Sequence, residues 1–112
     1  MRIVKPTETA EFENPHGVSA KKLHDTEHVS VVLIALEPGE GLKRHTTPVD
    51  VFFYVLEGEG IVEIGDERER VERDSLIHSP ARIPHRLEND GEKPFRFLVV
   101  KTPGVGAGRE GG

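Results

Sequence analysis

The sequence predicts an all-β fold, a sandwich or closed barrel of short strands, on three observations. The apolar segments are short and rich in β-branched and aromatic residues. Turn chemistry separates them at regular intervals. The 112 residues include 12 Gly and 8 Pro, which leaves little room for long helices. A chain of this length makes one domain, and burying roughly two-thirds of its unfolded surface supplies one modest core.

Taken in order, residues 1–17 are mostly polar, contain Pro6 and Pro15, and read as an arm or a first edge strand. The barrel itself is expected over residues 18–102. Within it, strands are predicted at residues 29–36, 51–56, 60–64, 75–78 and 94–101, each a run of Val, Ile, Leu or Phe at strand length. Turns are predicted at residues 37–41, 57–60, 65–66, 79–84 and 89–91, where Gly, Pro, Asn and Asp cluster. The alternating charges of residues 66–73 fit a solvated hairpin. Residues 103–112 are half glycine and read as a flexible tail. In the segment 51–56, Val51, Phe53 and Val55 face one side while Phe52, Tyr54 and Leu56 face the other. Both faces are therefore apolar, and the second needs cover from another layer or another subunit, so a homodimer is expected.

Composition narrows the function. With 20 acidic against 15 basic residues and no basic stripe, nucleic acid is not an expected partner. No apolar run reaches the ~18 residues that a membrane span needs, and residues 1–6 lack a signal-peptide core, so the expected location is the cytoplasm. The chain has no Gln, one Met and two Asn, a composition compatible with thermostability. Without Cys, any metal chemistry falls to six His and the carboxylates.

Two spaced motifs carry the functional signal. Gly39 is followed by five residues and His45, one residue and Thr47, three residues and Val51, then six residues and Gly58. Further on, Asp74, Pro80, Arg82, His85 and Asn89 repeat a second fixed spacing, with 15 residues between Gly58 and Asp74. This pattern resembles the paired motifs of the cupin superfamily: Gly, His, His, Glu and Gly in the first, and Gly, Pro, Gly, His and Asn in the second. Six positions agree by identity. The resemblance covers residues 39–89 and implies an antiparallel double-stranded β-helix, or jelly-roll barrel. It also implies a divalent metal in the barrel mouth, held by three His and one Glu.

Here Thr47 stands at the second His position and Val51 at the Glu position, so only His45 and His85 of the four implied ligands remain. Two imidazoles are too few for a tight divalent site. Asp50, one residue before the vacant Glu position, is the candidate third ligand. A regular strand would turn it to the opposite face, and a bulge at Pro48 would be needed to aim it inward; otherwise it is a turn-capping or surface aspartate. His78 is a pocket candidate if it faces inward and a surface residue if it does not. Thr47 could hydrogen-bond a metal-bound water or serve only as a good strand former. Phe53 is expected to line the pocket, and Arg82 to reach the mouth to attract a carboxylate or phosphate, or else to be solvated. His16, His24 and His28 fall outside both motifs and read as ordinary. The leading expectation is a metal-binding cupin acting on or binding a small polar molecule. Its metal would be zinc, nickel, iron or manganese, and dioxygenase, decarboxylase and isomerase chemistry all stay open. The alternative is a non-catalytic binding or sensing module for a sugar or organic acid.

Overall fold

In the computed structural model, which describes residues 1–104, strand alternation builds eight strands. They are β1 (Ser19–Asp25), β2 (Ser30–Leu36), β3 (Asp50–Glu57), β4 (Glu59–Ile64), β5 (Glu67–Glu72), β6 (Leu76–Ser79), β7 (His85–Glu88) and β8 (Phe95–Thr102). A single 3-10 turn, Pro6–Glu8, is the one helical element among the described residues. The strands form two antiparallel sheets, ordered β1-β2-β8-β3-β6 and β5-β4-β7. The fold is therefore all-β and of the double-stranded β-helix type.

The five strands expected from apolar runs are β2, β3, β4, β6 and β8. β1 and β7 escape that reading because polar residues alternate through them: Lys21, Lys22 and His24 in β1, Arg86 and Glu88 in β7. The charged run forms β5, hairpin-linked to β4, with Arg68 paired to Glu63 and Glu88 and Arg70 to Asp90. Residues 1–17 contain no strand. They run as an arm whose Phe12 packs against the core. Of the expected tail, residues 105–112 lie outside the described residues, while Gly104 is buried against Thr26 and Val29.

The inward faces of β3 and β8 supply most of the core: Val51, Phe53 and Val55 opposite Phe95, Phe97 and Val99. Phe53 and Phe97 meet edge to face at 6.1 Å, and Phe95 lies 5.1 Å from Phe97. Ile34 and Leu36 of β2, Val62 of β4 and Leu87 of β7 close the cluster. Each such side chain contributes about 1.5–3 kcal/mol by leaving water.

Backbone geometry explains the motif spacing. Gly58 turns β3 into β4 at φ +78°, and a Cβ there would strike the Pro94 carbonyl. Asp74 and Arg82 occupy the two glycine positions of the second motif, and both keep a left-handed backbone (φ 68° and 67°). The turns thus persist after the glycines are replaced, at a cost of roughly 1–2 kcal/mol each. Asn89 is buried because its amide ties the loop after β7. Its nitrogen donates to Leu36 O (3.0 Å) and Lys93 O (2.7 Å), while its oxygen accepts from Gly91 N–H (3.0 Å).

Candidate functional site

His45 and His85 meet at one end of the barrel through a two-residue bridge. His45 N–H donates to His85 O (3.2 Å), and His85 N–H donates to His45 O (2.9 Å). Their rings stand edge to face with centroids 4.6 Å apart, and the Phe53 ring backs His85 at 5.4 Å. Below them, Ser79 Oγ lies 2.9 Å from His85 Nδ1, with both residues fully enclosed. His45 Nδ1–H donates to the Lys43 carbonyl at 2.9 Å, because a carbonyl can only accept. His45 Nε2 is buried and has no hydrogen-bond partner. An unsatisfied buried acceptor costs about 1–3 kcal/mol, so this atom is poised to take a donor.

Two further residues join the pair. His16 reaches over from the N-terminal arm, its ring 4.9 Å from that of His45, and its Nδ1 accepts Lys43 N–H at 2.8 Å. Nothing local in the sequence marks this contact; it depends on how the arm crosses the barrel end. Lys101 lies on the inward row of β8, after Phe95, Phe97 and Val99, and is buried. Strand alternation carries that signal, since residues at i and i+2 share a face.

Burial sets the electrostatics. Desolvation, helped by His45, Lys101 and His16, holds His85 down at about 4. Desolvation, with His45, Lys43 and Lys101, lowers His16 to about 4 as well. Desolvation also brings Lys101 down to about 8, with Asp25 opposing the shift and Lys22 adding to it. At pH 7 His16 and His85 are therefore neutral imidazoles, with the ammonium groups of Lys43 and Lys101 near His16 and that of Lys101 near His85.

The other expected site residues are placed differently. Asp50 does not turn toward the His pair: its Oδ1 accepts Ala81 N–H (2.8 Å) and its Oδ2 lies 3.6 Å from His78 Nε2. The β3 register runs without a bulge from Asp50 to Val55, so Val51 takes the inward position and Asp50 the outward one. His78 is likewise on the outer face, stacked on Phe52 at 5.0 Å, with half of its side chain exposed. Arg82 is exposed in its turn and contributes only its N–H, donated to Thr47 O at 2.8 Å. Thr47 is buried, but its hydroxyl is used locally, donating to Val49 O at 3.1 Å. Of the expected pocket residues, Phe53 makes a ring contact with the pair, through His85.

These residues do not fit the divalent metal that the motifs imply. Thr47 and Val51 occupy two ligand positions, Asp50 is engaged elsewhere, and His16 Nδ1 is taken by Lys43 N–H. Among the described residues no three His, Asp or Glu side chains converge on a point that could hold an ion. Because His16 Nδ1 accepts a hydrogen bond, its proton sits on Nε2 and that atom has no lone pair to offer, and the lone pairs left on His45 and His85 fall short of the four-coordinate sets that hold zinc tightly.

Comparison with known proteins agrees with this architecture. The family profile of the cupin domain matches residues 32–101. The crystal structure of the TT1209 protein from Thermus thermophilus superposes with a TM-score of 0.80 at 31% identity, covering 92% of this chain and 98% of that one. An uncharacterised protein of Methanocaldococcus jannaschii, MJ1618, is 32% identical over 62 residues, which is 55% of this chain and 49% of that protein. The tetracenomycin polyketide synthase protein TcmJ of Streptomyces glaucescens is 35% identical over 71 residues, or 62% of this chain and 48% of that protein. The chain thus spans about half the length of these two curated relatives.

Proposed function

The chain belongs to the cupin domain family, and from that premise we propose that it binds a small polar molecule at the barrel mouth by hydrogen bonds to imidazole rather than through a resident metal. The observation that carries this reading is His45 Nε2, a buried acceptor left without a partner beside two further imidazoles. A ligand N–H or O–H delivered to that atom relieves an unsatisfied group and breaks no hydrogen bond that the atom makes within the protein. Phe53 supplies an apolar backing, and Ser79 holds the His85 ring from behind. Neutral His16 and His85 add no charge of their own to the mouth.

Thermal-shift measurements with a panel of sugars and small organic acids, made with and without a chelator, test the proposal. At a ligand concentration near 100 Kd the expected stabilisation is about 2.7 kcal/mol, a rise in Tm of roughly 10 °C. It should survive the chelator and disappear in His45→Ala. Stabilisation that depends on added metal, or that His45→Ala leaves intact, would overturn the reading.

The outer face of the five-stranded sheet supports a homodimer. Two cross-strand rows, Val31–Val100–Phe52–His78 across β2, β8, β3 and β6 and Leu98–Tyr54–Leu76 across β8, β3 and β6, lie side by side, the second continued on β2 by Leu33, which is already buried within the chain. Leu76 at the edge is 64% exposed. The four strands that carry the rows lie about 4.8 Å apart, so the longer row runs roughly 14 Å from the first strand axis to the last. A second copy meeting this face about a two-fold axis would cover it. Size-exclusion chromatography with light scattering should show a dimer for the wild type and a folded monomer for Phe52→Glu; a monomeric wild type contradicts the assignment.

A further inference from the structure

One backbone unit holds two site imidazoles. Lys43 N–H donates to His16 Nδ1 at 2.8 Å, while Lys43 C=O accepts from His45 Nδ1 at 2.9 Å. The two bonds have opposite sense and fix opposite tautomers. An Nδ1 that accepts leaves the neutral His16 ring protonated at Nε2; an Nδ1 that donates leaves the neutral His45 ring with its lone pair on Nε2. The rings lie 4.9 Å apart.

Resting on the proposed binding role of the mouth, we infer that His16 is a third recognition residue and that its Nε2–H donor, on a ring 4.9 Å from the ring that carries the His45 Nε2 acceptor, selects a ligand hydroxyl group, as on a sugar or other polyol. A hydroxyl both donates and accepts, so one such group satisfies both rings. A carboxylate only accepts and would leave His45 Nε2 unpaired. An ammonium only donates and would face the His16 N–H. Discrimination arises because the mismatched ligand strands a buried polar atom. His16 suits this role because its arm is pinned independently of any ligand. Asn14 Nδ2 donates to Val18 O (2.7 Å), and Asn14 Oδ1 accepts from His16 N–H (3.1 Å), while Lys21 Nζ donates to Pro6 O (2.7 Å).

Long-range ¹H–¹⁵N correlation spectra of the full chain at pH 7, without ligand, read the tautomers directly. The expected result is His16 protonated at Nε2 and His45 at Nδ1; a shared tautomer, or a His16 ring averaging between the two, overturns the inference whatever the mouth binds. The ligand arm titrates methyl α-D-glucopyranoside and its fully O-methylated form against the same ring signals. The glucoside should shift both rings and the methylated sugar neither. His16→Phe should weaken binding about tenfold, the equivalent of one hydrogen bond. His16→Gln should retain most of the affinity, since its amide can accept from Lys43 N–H and donate onward. Equal affinity in wild type and His16→Phe removes His16 from recognition while the His45 site stands. Acetate binding in preference to the glucoside overturns the hydroxyl assignment. If His45→Ala also changes no ligand's binding, the failure belongs to the proposed function itself.

Discussion

Replacing Phe53 with alanine is expected to destabilise the protein by about 3–5 kcal/mol, which is a large share of the stability of a domain this size. The ring is 1% exposed on the inward face of β3 and touches both Phe97 and His85. Its loss removes apolar burial and opens a cavity that a β-sheet scaffold cannot collapse to fill. It also removes the surface against which His85 is held, so ligand affinity should fall with stability. Urea denaturation monitored by circular dichroism checks the first effect. Phe52→Ala, one residue away on the outer face, should cost far less within a single subunit. Equal losses for the two variants would mean that the barrel interior is not where the alternation of β3 puts it.

Stability should also fall steeply as the pH drops from about 6.5 to about 4. His85 is held at about 4 by burial and by neighbouring His45, Lys101 and His16, whereas in the unfolded chain an imidazole titrates near 6.5. Between those values the unfolded state carries a proton that the folded state refuses, and stability rises with pH wherever that is so. The contribution is therefore complete above pH 6.5 and lost by pH 4. For His85, 2% exposed, it amounts to about 3 kcal/mol. His16 shifts in the same direction, but it is only partly buried and solvent screening reduces its share. The slope should approach 1.4 kcal/mol per pH unit for His85 alone. Urea midpoints at pH 7, 6, 5 and 4 for wild type and His85→Gln isolate that component from the carboxylates. An unchanged slope in the variant would show that His85 is not buried as a neutral imidazole.

Much of the fold was legible because strand physics is local. Short β-branched runs bounded by Gly and Pro gave β2, β3, β4, β6 and β8. β1 and β7 were not legible from hydropathy because their outward residues are charged and their inward ones few. The second motif survived the loss of its glycines since spacing fixes the turns, and Asp74 and Arg82 adopt the left-handed backbone that glycine would. At the site, the pairing of His45 with His85 followed from motif spacing. Asp50 did not follow. Its inward aim required a bulge at Pro48, and the ladder is regular from Asp50 onward. His78 fell on the outer face by the same period-two alternation, and Arg82 in a turn that points outward. Lys101 could have been found by extending that alternation along β8. His16 could not, because its contact with His45 depends on the path of a strandless arm.

The most direct test of a mouth that works by imidazole hydrogen bonding is the metal content of the chain purified without an affinity tag, measured by inductively coupled plasma mass spectrometry. The expected result is well under one equivalent of zinc, nickel, iron or manganese per chain, with no change on His45→Ala. One tightly held equivalent in the wild type that His45→Ala removes would contradict the account and restore a metal to the centre of this site.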